Sequence, residues 1–447
     1  MRRLFGTDGI RGLANVFITP PLAVSVGRAV AVILSDGGKK PTVAVGGDTR
    51  HSTDMLISAI SSGLCSGGAD AVVFGTVTTP QLACLTTKLG YDAAIMISAS
   101  HNPSEYNGIK IFSGNGYKLD DLLEERIEAI VLDGNEKTDE LTPSVGRITY
   151  RNDGNDIYIK RLLELSDIKL DGMKIVLDCA NGSASKVAPA LFSALGATVK
   201  VLNDAPDGKN INLNCGSTHI EELTSATKIS GSDVGFAFDG DADRCLCSDA
   251  LGETVDGDEI LAICAVDMKK RSALKNNAVV GTVMTNYGFG EFCKTNGIDF
   301  KATKVGDRYV LEEMLISEIS LGGEQSGHII FSDFATTGDG ILTALQVASV
   351  IKRYGKTLNE QKRVIKRAPQ SLVNVNVSEE GKIRLFTDHV IRDAVKKAES
   401  ELESCGRLVI RPSGTEPYIR VMAEGCDQEL IERITKELSE LIKEKLN

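Results

Sequence analysis

The 447-residue chain is longer than one hydrophobic core sustains, so three or four domains of roughly 100–200 residues each are expected. Its 42% apolar and 25% charged residues are the balance of a globular protein, and 44 glycines against 11 prolines point to tight loops, not to a low-complexity tail. A net charge of −11 speaks against a nucleic-acid partner, and no apolar run is long enough to cross a membrane. With no signal sequence after Met1-Arg2-Arg3, a cytoplasmic protein is expected. The ten cysteines are scattered without a Cys-x-x-Cys pair and read as small core hydrophobes, not as zinc ligands or disulfides.

Along the chain, short β-branched runs alternate with segments of helical period. The run at 42–48 leads into a helix from about 54 to 66, that at 71–75 into one from 80 to 88, and that at 93–97 into a polar loop. A second series begins near Gly154, with strands at 174–178 and 234–238 and a helix at about 185–195. A third has a strand at 278–283 and a helix at about 288–295. This order predicts three successive α/β domains with mixed, largely parallel sheets. The last eighty or so residues, with alternating runs at 372–377, 407–410 and 418–423 and a terminal amphipathic helix, predict a smaller α+β domain on an antiparallel sheet. The expected divisions are 1–152, 153–250, 251–367 and 368–447.

Four loops carry the groups that could do chemistry. Ser98-Ala99-Ser100-His101-Asn102-Pro103 follows the run at 93–97, which places it at the carboxyl end of a sheet, where open α/β folds keep their ligand crevice. A hydroxyl on a stiff loop beside His101 has the form of a serine nucleophile, although a Ser-His pair alone is as readily a turn. Lys110, in Ile109-Lys110-Ile111, faces either that crevice or solvent. Asp239-Gly240-Asp241-Ala242-Asp243-Arg244 closes the run at 234–238. Three carboxylates so close repel one another unless a cation joins them, and oxygen-only ligands suit Mg2+ or Ca2+. An EF-hand is excluded: Arg244 stands where its glycine belongs and Ala250 where its last glutamate belongs. Space left for a phosphoryl oxygen favours a catalytic magnesium.

The third loop, Arg411-Pro412-Ser413-Gly414-Thr415-Glu416-Pro417 with Arg420 beyond, has the hydroxyls, backbone N–H groups and arginines that cradle a phosphate; a charged β-turn is the plainer reading. The fourth, Gly322-Gly323-Glu324-Gln325-Ser326-Gly327-His328, offers side chains for sugar hydroxyls, and Gly306-Asp307-Arg308 adds a charged turn. No nucleotide-triphosphate loop, Gly-x-Ser-x-Gly elbow or His-Glu-x-x-His motif occurs.

Taken in order, these loops resemble those of the α-D-phosphohexomutase family, and the resemblance spans essentially the whole chain. Its elements are Phe5-Gly6-Thr7-Asp8-Gly9-Ile10-Arg11-Gly12, Ser98–Pro103, Asp239–Arg244, Gly323–His328 and Arg411–Pro417. The resemblance implies four domains around one cleft, a phosphorylated hexose as substrate and Mg2+ as cofactor. It implies Ser100 as a phosphoserine, with magnesium on Asp239, Asp241, Asp243 and an oxygen of that phosphate. Arg11, Lys110 and Arg244 would surround the transferring group, with His101 alongside. Glu324 and Ser326 would take sugar hydroxyls, with Asp307 and Arg308 nearby, and Lys110 or His328 would exchange protons. Arg411, Ser413, Gly414, Thr415 and Arg420 would hold the non-reacting phosphate. The Phe5–Gly12 opening and Gln325 are similar to members acting on glucosamine phosphates; mannose or glucose phosphates are the alternative sugars. The implied route passes through a 1,6-bisphosphate that turns end for end. Oligomeric state is not legible, and a homodimer is kept open.

Two other classes fit parts of the pattern. Asp239-Gly240-Asp241 resembles the aspartate pair of haloacid-dehalogenase-type phosphatases, which have no use for a second phosphate loop. A sugar-phosphate sensor would keep the loops without turnover.

Overall fold

Strands and helices follow that alternation in the computed structural model, which describes residues 3–6, 8–35, 39–134, 144–403, 406–413 and 417–446. The chain forms two units, Met1–Val280 with Gly306–Arg363, and Gly281–Val305 with Val364–Asn447.

In the first unit, β1 (Ile10–Leu13), β2 (Thr42–Gly47), β3 (Asp70–Thr76), β4 (Ala93–Ile97), β5 (Tyr106–Ser113) and β6 (Ile148–Tyr150) form one sheet in the order β1-β5-β4-β2-β3-β6. A second sheet takes β7 (Lys174–Asp178), β8 (Thr198–Leu202), β9 (Val234–Phe238), β10 (Cys245–Asp249) and β11 (Thr254–Val255) in the order β11-β10-β9-β7-β8. Farther on, β12 (Ala278–Thr282) pairs in parallel with β14 (Leu321–Gly323) at Val280 and Gly322, and β14 is antiparallel to β15 (Ile329–Phe331).

The sheets are less parallel than the sequence reading expected, and the reason bears on the site. β4 and β5 run antiparallel, as do β9 and β10. The Ser100 loop and the Asp239–Arg244 loop are therefore hairpin connections and not strand-to-helix turns. Both β4 and β9 are buried throughout, so each loop leaves from a rigid strand.

Helix positions follow local chemistry. Helix Thr79–Leu89 starts at a Thr78–Gln81 capping box with Pro80 in its first turn and stops at Gly90, in the left-handed region at φ 71°. Helices Pro20–Leu34 and Thr53–Ser66 pack on the first sheet through Val26, Val30, Leu56 and Ile60. Their close approach depends on two glycines: a Cβ on Gly27 would come within 2.3 Å of the Ile60 carbonyl, and one on Gly63 within 2.1 Å of the Val24 carbonyl.

In the second unit, β16 (Gln370–Asn376), β17 (Gly406–Pro412) and β18 (Tyr418–Gly425) form the expected antiparallel sheet, in the order β16-β18-β17. Helices His389–Leu402 and Gln428–Leu446 cover it, burying Ile391, Leu402, Ile431, Leu438 and Ile442 with Val375, Ile419 and Val421. β13 (Asp299–Thr303) lies beside Gly281, whose carbonyl accepts the Thr303 hydroxyl at 3.1 Å. The fold is thus three mixed-sheet α/β layers and a separate, smaller sheet-and-helix domain.

Candidate active site

Three neighbouring strands of the first sheet deliver three of the expected groups. Arg11 on β1 lies opposite Gly108, Lys110 on β5 lies opposite Met96, and Ser100 follows the end of β4. The second sheet supplies the carboxylates. The Ser100 hydroxyl donates to Asp239 Oδ2 at 2.6 Å, which joins the two loops directly. Lys110 Nζ reaches Asp241 at 2.8 Å, Asp8 at 3.2 Å and Asp243 at 3.4 Å. Thr79 at the start of its helix donates to Asp241 Oδ2 at 2.5 Å.

Asp239, Asp241 and Asp243 are buried, and one carboxylate oxygen of each lies within 4.8 Å of the others. Burial, with Asp243 and Asp241 beside it, pushes the Asp239 carboxyl well above its usual range. Asp241 Oδ1 and Asp243 Oδ1 are buried without a hydrogen-bond partner among the described residues. Repelling carboxylates with oxygens turned to no donor fit a hard divalent cation. The site has a cationic rim as well. Arg11 Nε and Arg244 Nε are buried and likewise unpartnered, Asp243 lying 4.0 Å from the latter. Arg11 otherwise pairs with Asp8, and the Arg244 backbone N–H donates to Asp239 Oδ1 at 3.2 Å. Two guanidinium N–H groups lacking acceptors beside an ammonium make a place for an anion.

The two histidines are pulled in opposite directions. His101, 3.3 Å from the Ser100 hydroxyl through Nδ1, is pushed down to about 3 by burial and by Arg244 and Arg11, so its imidazole is neutral at ordinary pH. Burial opposes charge on His328 too, but Asp243, Asp307 and Glu324 outweigh it and raise its affinity for a proton. His328 Nδ1 lies 3.7 Å from Asp243, beyond hydrogen-bond reach, and Nε2 accepts the Gly338 N–H at 3.2 Å. For Lys110, the attraction of Asp241, Asp8 and Asp243 exceeds the cost of burial and keeps the ammonium protonated.

The remaining expected residues divide. Glu324, half-buried, accepts the Gly306 N–H at 3.1 Å, and Ser326 is exposed beside it. Asp307 lies 3.8 Å from His328 and pairs with Lys118. Arg308 is turned away from the trio: it pairs with Asp121 at 2.5 Å and Glu124 at 3.2 Å and donates to the Leu119 carbonyl at 2.5 Å. It braces two elements. In the second unit Arg411 and Arg420 stand opposite each other on β17 and β18, and the Ser413 N–H donates to the Tyr418 carbonyl at 2.8 Å. Gly414 and Thr415 lie outside the described residues.

Sequence reasoning missed Asp8 and Lys118. Asp8 binds Arg11, Lys110 and Lys118, and Lys118 joins Asp8 to Asp307. Asp8 sits inside the Phe5–Gly12 opening, where the stretch as a whole is a signature but the single carboxylate carries no signal of its own. Lys118 had no signal, since its partners lie 110 and 189 residues away.

With this geometry in view, comparison places the chain among phosphohexomutases. Residues 2–138, 156–252, 256–368 and 372–441 match, in turn, alpha/beta/alpha domains I, II and III and the C-terminal domain of phosphoglucomutase/phosphomannomutase. The chain belongs to that family and is an enzyme of the mutase class. More particularly, it is 51% identical to a protein of Thermoanaerobacter sp. (strain X514) and 50% identical to one of Clostridium novyi (strain NT), each covering 100% of both chains and each named phosphoglucosamine mutase. The fold is shared with a phosphoglucomutase/phosphomannomutase family protein of Burkholderia thailandensis (TM-score 0.83, 22% identity, 100% of this chain and 99% of that one). It is also shared with N-acetylphosphoglucosamine mutase of Aspergillus fumigatus, solved with GlcNAc-6P and magnesium (TM-score 0.73, 17% identity, 100% and 96% covered).

Proposed function

We propose that the chain is a phosphoglucosamine mutase, interconverting glucosamine 6-phosphate and glucosamine 1-phosphate through a phosphoserine at Ser100 and a 1,6-bisphosphate. The observation that carries this reading is the 2.6 Å contact of the Ser100 hydroxyl with a three-carboxylate group, beside unpartnered N–H groups of Arg11 and Arg244. The full-length identity to relatives bearing that name supports the choice of sugar.

Asp239, Asp241 and Asp243 would hold the divalent ion, and oxygen-only donors in a buried site favour magnesium. When bound, magnesium supplies neutralisation of phosphoryl charge. The chain's own groups do the rest. Arg11 and Arg244 offer Nε–H donors to the equatorial phosphoryl oxygens, and Lys110 adds a fixed positive charge. Held protonated by its three carboxylates, Lys110 serves as a hydrogen-bond donor to a sugar or phosphoryl oxygen; to exchange a proton it would first have to part from a carboxylate. His328, its Nε2 held by the Gly338 N–H and its Nδ1 3.7 Å from Asp243, is the second candidate to exchange a proton beside the trio. Neutral His101 accepts from or donates to the Ser100 oxygen without adding charge. Glu324 and Ser326 take sugar hydroxyls. The non-reacting phosphate falls to Arg411, Ser413, Gly414, Thr415 and Arg420, because a mutase must hold one phosphate while the other reacts.

Intact mass and a competition assay test the reading. The purified protein should carry a form about 80 Da heavier, one phosphate, that is missing from Ser100→Ala. Ser100→Ala should lose all but a trace of turnover, and glucosamine 6-phosphate should outcompete glucose and mannose phosphates. Activity in Ser100→Ala would overturn the phosphoserine, and preference for another hexose would overturn the sugar.

A further inference from the structure

A buried arginine lies directly behind the Ser100 loop, and it is not turned toward any site for substrate. Arg50 follows β2 in Asp48-Thr49-Arg50 and is 2% exposed. Its Nη2 donates to the carbonyls of Ser100 at 2.9 Å and Asn102 at 2.8 Å. Nη1 donates to the carbonyls of Tyr106 at 3.1 Å and of Pro103, and Nε to Asp48 Oδ2 at 2.9 Å. All five guanidinium N–H donors are spent, so none remains for a phosphate. Asp48 extends the arrangement: its Oδ2 accepts the Ser98 hydroxyl at 2.6 Å, and the Ser98 oxygen accepts the Ser100 N–H at 2.9 Å. From the second sheet's side, Asn212 Nδ2 donates to the same carbonyls of Ser100 and Asn102, at 2.9 and 3.2 Å.

The backbone held this way needs holding. Ser100 has φ +52°, in the left-handed region that a side-chain-bearing residue adopts only when its surroundings hold it there. The metal loop also presses on the same carbonyl: a Cβ on Gly240 would come within 2.7 Å of the Ser100 oxygen. A carrier serine changes its charge by about −1.5 to −2 on phosphorylation, so its loop must keep one conformation in two electrostatic states. Side-chain contacts at Oγ differ between those states, whereas bonds to the loop's carbonyls do not.

We propose that Arg50, assisted by Asn212, is a positioning residue that clamps the backbone of loop 98–106 and keeps Ser100 aligned on Asp239, Asp241 and Asp243 in both its free and phosphorylated forms. The inference rests on the reading of Ser100 as the phosphate carrier. Lysine cannot replace arginine here, because three donors on a flexible stem cannot serve four carbonyls and a carboxylate in one plane.

Arg50→Lys and Asn212→Gly test it, with Ser100→Ala alongside. Glycine at 212 removes the Nδ2 donor but keeps the left-handed backbone, since Asn212 has φ +58°. Turnover of glucosamine 6-phosphate with magnesium is measured per phosphorylated chain, counted by intact mass, together with KM and the thermal midpoint. A misplaced nucleophile should lower kcat by roughly ten- to a hundredfold in Arg50→Lys and about tenfold in Asn212→Gly, with KM changed less than about threefold. A role in stability alone would lower the midpoint and the phosphorylated fraction and leave kcat per phosphorylated chain unchanged; that result overturns the proposal. If Arg50→Lys does not fold, Asn212→Gly decides by the same criterion. Full activity in Ser100→Ala would overturn the carrier reading, and the clamp with it.

Discussion

At the scale of single residues, the carboxylate trio stores repulsion that a cation relieves. Asp239 is the most exposed to this effect, because burial and two carboxylate neighbours all oppose its charge. Asp239→Asn keeps the shape and an acceptor for Ser100 while removing one negative charge. Without metal, the variant should be more stable than the wild type at neutral pH, because the folded state no longer confines three charges. With metal the order should reverse, since a ligand that stabilises only the folded state raises stability with its affinity, and the variant has lost a charged ligand. Thermal midpoints in EDTA and in millimolar magnesium check both signs; a variant less stable in EDTA would contradict the account. The trio was legible because its spacing is local: Asp239, Asp241 and Asp243 need only one tight turn to meet. Arg50 and Lys118 were not legible. Each is a single cation in an unremarkable sequence, and only the fold puts four carbonyls around one and two distant aspartates around the other.

Elements were read more completely than contacts. Strand β4 and strand β9 fall where the apolar runs placed them, and helix Thr79–Leu89 is bounded by Thr78, Pro80 and Gly90, residues that mark helix ends in any context. The antiparallel β1–β5 pair escaped, because nothing in Ile10 or Ile109 records that they are neighbours. One helix end carries a pH effect. Asp339 caps helix Gly340–Tyr354 by accepting the Leu342 N–H at 2.9 Å, and its Oδ2 accepts the Tyr158 hydroxyl at 2.6 Å. A helix N-terminus favours a carboxylate, yet burial is the larger effect and raises Asp339 from 3.8 to about 6. The folded state therefore keeps a proton between about pH 4 and 6 that the unfolded chain releases, and stability falls as pH rises through that window. The full effect is about 3 kcal/mol for this buried group. Asp339→Asn should retain the cap and lose the dependence, so urea unfolding at pH 4.5 and 7.5 should show the variant gaining on the wild type at the higher pH. Parallel pH profiles would refute the assignment.

Across the first unit, polar contacts join its α/β layers. The first sheet reaches the second through Ser100–Asp239 and through Thr49, whose hydroxyl donates to the Asn181 carbonyl at 2.6 Å. It reaches the segment 306–330 through Lys118–Asp307 and through Arg308, which grips helix Asp121–Asp133 at Asp121 and Glu124. Glu124 is only 6% exposed, so the Arg308 charge is removed from beside a carboxylate with little access to water. Losing one member of a buried pair costs about 3–5 kcal/mol, and the Asp121 branch, at the surface, should add little. Arg308→Met keeps the apolar stem of the side chain and removes the charge together with the guanidinium donors to Glu124 and the Leu119 carbonyl. It should lower the thermal midpoint and speed amide exchange both in helix Asp307–Ile316 and in the first turns of helix Asp121–Asp133. Asp307 and Glu324 belong to the loosened segment, whereas Ser100, Asp239 and Lys110 do not. The sugar-phosphate KM should therefore rise more than kcat falls. Arg433→Met, which breaks an exposed pair with Glu401 in the second unit, serves as the control and should alter neither exchange pattern nor KM. If Arg308→Met left exchange in both helices unchanged, Arg308 would not be a brace, and the segment 306–330 would be held to the first sheet by its other contacts, Lys118–Asp307 among them.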